Sequence, residues 1–299
     1  MHENQIEVTP AMVTQLICAQ FPQWTDLPLS QVASHGTVNA LFRIGTELVA
    51  RLPIERGDVE TKRVELMSEM DAARRLLPVS PVATPEPVAM GEPDADYPLP
   101  WCVYRWIPGA IASQTDAASA PRFAEQLAGF VRAVRSLPTQ GRSFHGTRRG
   151  GVLTQHDAYV TTGLQRSRGM IDTQALANLW DRLRATPHAY SATWTHGDLM
   201  PGNMLAGDHN LTGVIDVGQF GVADPALDLQ PAWNFFTPPA RAAFRRALGC
   251  DDNEWDRGKG WAFAQAIGCL WYYRETNPVM SETAHHTLQA LLDDDREQA

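Results

Sequence analysis

No stretch of the 299 residues has the roughly 18 consecutive apolar side chains that a membrane-spanning helix needs. The N-terminus, Met1-His2-Glu3-Asn4-Gln5-Ile6-Glu7, has neither a basic start nor an apolar core. No signal peptide is therefore expected, and the cytoplasm is the expected compartment, with no membrane partner. Positive charge is also short: 25 Lys and Arg stand against 34 Asp and Glu, for a net charge of -9. That argues against a nucleic-acid partner, which would require a basic patch. It is compatible with a cationic substrate, as it would be for many acidic proteins. The four cysteines, Cys18, Cys102, Cys250 and Cys269, are scattered and show no C-x-x-C spacing. Free, mostly buried thiols are expected from them, not disulfides or a metal site. There is no internal repeat and no low-complexity segment.

What is present is ordinary for a globular enzyme: 44% hydrophobic and 20% charged residues, in a chain long enough for two lobes. Met12, Val13, Leu16, Ile17 and Phe21 follow Thr9-Pro10 at helical spacing. Strands are expected at 31–34, 40–44 and 48–52, and an amphipathic charged helix over 60–77. The proline-rich segment 78–100 reads as extended edge structure, with short strands around Pro87-Val88-Ala89-Met90. Trp101 to Ile107 reads as a buried strand stopped by Pro108-Gly109. Beyond it the pattern turns helical, at about 121–137, 172–185, 239–248, 254–275 and 281–293. The expected class is α+β and bilobal: a β-rich lobe over 1–105 and a mostly helical lobe over 106–299.

The most informative segment runs Thr195-His196-Gly197-Asp198-Leu199-Met200-Pro201-Gly202-Asn203, followed by Val214-Ile215-Asp216-Val217-Gly218. An Asp, an Asn five residues on and a second Asp thirteen further is the spacing of a phosphoryl-transfer site. Asp198 is the candidate catalytic base, accepting or orienting the proton of a substrate hydroxyl. A hairpin from Met204 to Ile215 would bring Asn203 and Asp216 side by side, as two oxygen ligands for Mg²⁺. His196 reads as a scaffold bonded to backbone near Asp216. Asp224 and Asp228 read as structural, the first as a cap before Pro225 and the second at the start of a helix.

In the first lobe, the loop Ser34-His35-Gly36-Thr37-Val38-Asn39 could cover a triphosphate through its backbone and the Thr37 hydroxyl, although an ordinary hairpin loop reads equally well. Arg51 stands inside the apolar strand Leu48-Val49-Ala50-Arg51-Leu52 and needs a partner there. Triphosphate and a helix carboxylate would supply it, Glu69 first and Glu65 one turn earlier as the alternative. Trp101 to Ile107, with Tyr104 and Trp106 as nucleotide contacts, would meet the adenine. Trp180, Trp233, Trp255, Trp261 and Trp271 read as core. Glu254, Asp256, Glu275 and Glu282 read as solvated helix faces, with a polyamine substrate as the alternative.

With these residues in view, the chain resembles the aminoglycoside phosphotransferase family, antibiotic and small-molecule kinases with a protein-kinase-like fold. Gly36-Thr37-Val38-Asn39-Ala40-Leu41-Phe42-Arg43, Leu48 to Pro53, Trp101 to Trp106, His196 to Asn203, Ile215 to Gly218 and Gly221 to Asp228 carry the likeness. The resemblance implies a nucleoside triphosphate donor, ATP with GTP as the alternative, and two Mg²⁺ ions. It implies Asp198 as base, and Asn203 with Asp216 as metal ligands. An aminoglycoside-like antibiotic, a small cationic molecule bearing a hydroxyl, is the expected acceptor, and antibiotic resistance the expected role. A metabolite such as an amino alcohol, homoserine or a sugar is the alternative. Macrolide kinases tend to carry His at the position of Asn203. The chain departs from the family's pattern in having Arg51 where lysine is usual, and few glycines in the phosphate loop. Those departures leave a nucleotide-binding pseudokinase as the rival of another class.

Overall fold

The computed structural model describes residues 5–33, 38–187 and 191–298. The chain divides into two compact units, Met1–Pro78 with Ala83–Pro108, and Val79–Val82 with Gly109–Ala299.

The first unit is built on a five-stranded antiparallel sheet. Its strands are β1 (Leu29–Val32), β2 (Asn39–Ile44), β3 (Leu48–Pro53), β4 (Pro87–Gly91) and β5 (Trp101–Arg105), in the order β1-β2-β3-β5-β4. β4, which begins on Pro87, lies at the edge, where a missing N–H does least harm. Helix α1 (Pro10–Gln20) starts on Thr9, whose side chain accepts the Met12 N–H. Its Val13, Leu16 and Ile17 join Phe42, Ile44, Ala50, Leu52, Trp101 and Val103 in one apolar core. Alternation along β3 puts Leu48, Ala50 and Leu52 into that core, so Val49 and Arg51 point to the opposite face. Helix α2 (Val59–Leu76) buries Leu66, Met70, Ala73 and Leu76. The first strand is two residues earlier than its apolar pattern suggests, and β5 stops at Arg105, not Ile107.

The second unit holds α3 (Pro121–Arg135), α4 (Asp157–Arg166), α5 (Thr173–Leu183), α6 (Pro231–Asn234), α7 (Pro238–Leu248), α8 (Asp252–Tyr272) and α9 (Pro278–Gln298). Helix α8 is buried almost all round, through Trp255, Trp261, Phe263, Ile267 and Leu270 among others. Helix α3 packs on α7, and α8 on α9 and α4. Two small sheets carry the chemistry-bearing segment. One pairs β7 (Thr193–Thr195) with β10 (Gly221–Ala223); the other orders β6 (Ala110–Ile111), β8 (Met204–Gly207) and β9 (Asn210–Val214) as β6-β8-β9. The β8–β9 turn is Asp208-His209, both at positive φ (48° and 60°), the tight hairpin geometry that matches strand twist.

Among the described residues, no helix is long and apolar enough to cross a membrane. All four cysteines are free. Only Cys102 is buried; Cys18 is exposed and Cys250 and Cys269 are intermediate, so the expectation of mostly buried thiols is corrected. Trp180, Trp233, Trp255 and Trp261 lie in the core, whereas Trp271 is half-buried under the Arg166 guanidinium.

Candidate active site

The loop between β7 and β8 is held from beneath by one carboxylate. Asp228 accepts the backbone N–H groups of His196 and Gly197, both at 2.8 Å. It is fully buried, and burial pushes its carboxyl above the usual range. It lies in a 3₁₀ turn (Pro225–Leu229) that begins on Asp224. The imidazole of His196 is buried, with Nε2 at 3.2 Å from the Ile215 carbonyl oxygen. It links the loop to the end of β9, a scaffold role. Gly197 has φ +83°, and a Cβ there would stand 2.7 Å from the Gln219 carbonyl oxygen. Only glycine fits that close approach without strain.

Asp198 emerges from this support with its side chain 25% exposed. Gln265 Nε2 on α8 donates to its Oδ1 at 2.9 Å, and Arg149 Nη2 to the same oxygen at 3.2 Å. Asn203 bends back: its Nδ2 donates to the Asp198 carbonyl oxygen at 2.9 Å and reaches Oδ2 at 3.3 Å. That leaves the Asn203 amide oxygen turned away from Asp198. The β8–β9 register pairs Met204 with Val214, and the Ile215 N–H donates to the Asn203 carbonyl at 2.9 Å. Asp216, the next residue, is exposed and has φ +64°, uncommon for a residue with a side chain. The structure thus brings Asp198, Asn203 and Asp216 to one end of one hairpin.

Asp224 is the anchor beyond the loop. Arg257 donates to it through Nε (2.9 Å) and Nη2 (3.1 Å), and Trp261 through Nε1 (3.0 Å). The Asp224 and Arg257 side chains are 0% and 1% exposed. Glu254, read from sequence as a solvated acid, is instead buried and ion-paired with Arg135 at 2.7 Å.

The first unit gathers a second group. Arg51 on β3 forms an ion pair with Glu69 on α2, and its guanidinium lies 5.6 Å from the Tyr104 ring centre. Glu65, the alternative partner, pairs with Lys62 and is 57% exposed. Tyr104 is buried in β5, and burial holds its phenol far above the ordinary value. Trp106 lies past the strand end. Its backbone N–H donates to the Glu47 carbonyl at 2.7 Å, and Arg43 covers its ring. Thr37 lies outside the described residues. Sequence reasoning missed Arg149 and Gln265; the run Arg148-Arg149-Gly150-Gly151, a charged pair before two glycines, was the available signal for the first.

A family model described as the phosphotransferase enzyme family matches residues 30–261. Among curated proteins, an aminoglycoside 3'-phosphotransferase of Streptomyces fradiae is 31% identical over 175 residues, covering 55% of this chain and 59% of that protein. One of Escherichia coli is 26% identical over 167 residues, covering 52% and 61%. The match thus spans about three-fifths of the length of these relatives. Among solved structures, the GDP complex of an aminoglycoside 2'-phosphotransferase-IIIa superposes with a TM-score of 0.72 at 18% identity, covering 96% of this chain and all of that one. A macrolide 2'-phosphotransferase from Brachybacterium faecium gives 0.63 at 19% identity, covering 92% and 97%. These likenesses place the fold among the kinase-like phosphotransferases.

Proposed function

Because the chain belongs to the phosphotransferase enzyme family, we propose that it transfers the γ-phosphoryl group of a nucleoside triphosphate to a hydroxyl of a small molecule. The observation that carries this reading is the state of Asp198. Its Oδ1 is held by two donors while Oδ2, among the described residues, has only the long Asn203 contact, so one oxygen stays open to a hydroxyl proton. Asp198 acts as the base that orients the acceptor.

Two oxygen donors stand beside it. The Asn203 amide oxygen is left over because the amide nitrogen is engaged, and the Asp216 carboxylate is exposed. So few protein ligands suit Mg²⁺, which keeps waters and takes further oxygens from phosphates. Bound by Asn203 and Asp216, Mg²⁺ would neutralise charge on the triphosphate. Arg51, oriented by Glu69, is the cation of the first unit for the donor phosphates, and Tyr104 and Trp106 are its aromatic contacts for the base. Arginine in place of lysine keeps the charge and offers phosphate oxygens a planar fork of N–H donors instead of a point charge.

ATP is the donor of this reading and GTP the alternative. Relatives named aminoglycoside 3'-phosphotransferases support an antibiotic of that type as acceptor. The test is nucleoside diphosphate release with Mg²⁺-ATP or Mg²⁺-GTP against aminoglycosides, macrolides, amino alcohols and sugars, with Asp198→Ala as blank. Stimulation by one class, absent in the blank, is expected. Nucleotide binding with no stimulation by any acceptor would sink the reading in favour of a non-catalytic nucleotide-binding protein.

A further inference from the structure

The loop from Asp198 to Asn203 reads Asp-Leu-Met-Pro-Gly-Asn and contains no cation. A cation nevertheless stands on the base. Arg149 arrives from 49 residues upstream and donates through Nη2 to Asp198 Oδ1 at 3.2 Å. The carboxylate does not depend on this contact, because Gln265 Nε2 donates to the same oxygen at 2.9 Å. The other terminal nitrogen, Nη1, is buried and has no hydrogen-bond partner among the described residues. A buried charged donor without a protein partner is costly, and beside a catalytic carboxylate a reacting group is a physical reason to keep one.

The position of Arg149 is built into the backbone. Gly150 has φ +108°, and a Cβ there would lie 2.6 Å from the Ala223 Cβ. Its carbonyl accepts the Asp224 N–H at 2.7 Å. The guanidinium is therefore carried by the same buried anchor that supports the loop, with its side chain 24% exposed beside Asp198.

We propose that Arg149 is a further catalytic residue, donating to an oxygen of the phosphoryl group during its transfer. This rests on the function proposed above and adds a second charged group to its reaction centre. In the step, the acceptor oxygen bonds to the γ-phosphorus as the bond from phosphorus to the β–γ bridging oxygen breaks. That bond's electron pair leaves on the nucleoside diphosphate, and the acceptor's proton passes to Asp198 Oδ2. Charge in the transition state is spread over the three equatorial oxygens, next to the attacking oxygen that Asp198 faces. A guanidinium fork can bond the carboxylate with one arm and a phosphoryl oxygen with the other. Gln265, neutral and bonded only to Oδ1, is a positioning residue.

The test uses the full chain and an acceptor that the wild type phosphorylates. Arg149→Ala should lower kcat about 100-fold or more, as loss of one transition-state donor does. KM for nucleotide and acceptor should each stay within about threefold. Free guanidinium at about 50 mM, far below unfolding concentrations, should restore part of the rate. Arg149→Lys should retain more activity than Arg149→Ala, and Gln265→Ala should lose less and show no rescue. If Arg149→Ala does not fold, Arg149→Gln carries the same readouts. A kcat within about threefold of wild type, or a loss in folded protein that guanidinium leaves unchanged, overturns the inference alone. Transfer by the wild type to no acceptor overturns the proposed function and this inference with it.

Discussion

The loops on either side of the β8–β9 hairpin, which carry Asp198 and Asp216, and the turn that carries Asp224 and Asp228 are neighbours in one segment, yet their carboxylates are used in opposite ways. Asp198 is partly exposed and Asp216 exposed, and each keeps oxygen capacity in hand. Asp224 and Asp228 are 1% and 0% exposed. Asp224 is engaged by Arg257, Trp261 and the Ala226 N–H, and Asp228 by two loop N–H groups. Spacing along the chain cannot separate the two kinds of acid; burial and satisfied donors can. Substitutions should therefore divide into those that remove activity and leave the fold, and those that remove the fold.

The largest effect is expected at the exposed end. Asp198→Ala should lower phosphoryl transfer about 10³-fold or more. Asp198 and its partners Gln265 and Arg149 are all partly exposed, so the urea midpoint should move little. A variant that keeps near-wild-type transfer would remove Asp198 as the base. At the buried end the order reverses. Asp224→Ala leaves the Arg257 guanidinium in the core without its carboxylate, although contacts to the Pro187 and Asn253 carbonyls remain. Stability should fall by about 3–5 kcal/mol, the usual range for breaking a buried pair from one side. Urea denaturation would measure it, and a loss below about 1 kcal/mol would erase the contrast.

Gly197 lies between the two regions, so Gly197→Ala should affect both. Its φ of +83° and the 2.7 Å approach to the Gln219 carbonyl cannot take a Cβ unchanged. About 1–3 kcal/mol of stability should be lost. Activity should fall as well, because the N–H groups held by Asp228 would shift under Asp198. A variant with full activity and a lowered midpoint would show that the loop's chemistry tolerates movement of its support.

These regions were legible in the sequence to different depths. Asp198, Asn203 and Asp216 could be read because one short hairpin assembles them, with Met204 opposite Val214. Arg51 and Glu69 could be read because a charge inside an apolar strand demands a partner on the next helix. Arg149 and Gln265 could not be read from spacing, lying 49 and 67 residues from Asp198. Gln265 sits on a helix buried almost all round, where no polar face stands out. Helix α4 was also missed, since Val160 and Gly163 are its only buried residues and give no apolar period. Glu254 looked like a surface acid because its partner Arg135 lies on a helix more than a hundred residues earlier.

The smallest expected effect is a pH dependence at the edge of the buried anchor. His156 is 9% exposed, and its ring stands edge-on to Trp261 at 5.3 Å, beside the indole that serves Asp224. Burial lowers its pKa, and Arg149 lowers it further, against the opposing pull of the Arg148 carbonyl and Asp157. The folded value thus lies below the unfolded value of about 6.5. Its contribution to stability is complete above that pH and is lost as pH falls through the folded value, because the unfolded chain binds the proton more readily. Comparing urea midpoints at about pH 8 and about pH 5 should show a decline in the wild type that is smaller in His156→Gln. His286, whose pKa burial also lowers, should leave a residual slope in the variant. Equal declines in both proteins would mean that the buried anchor is insensitive to charge at His156. The contrast between the two regions would then rest on Asp224 and Asp228 alone.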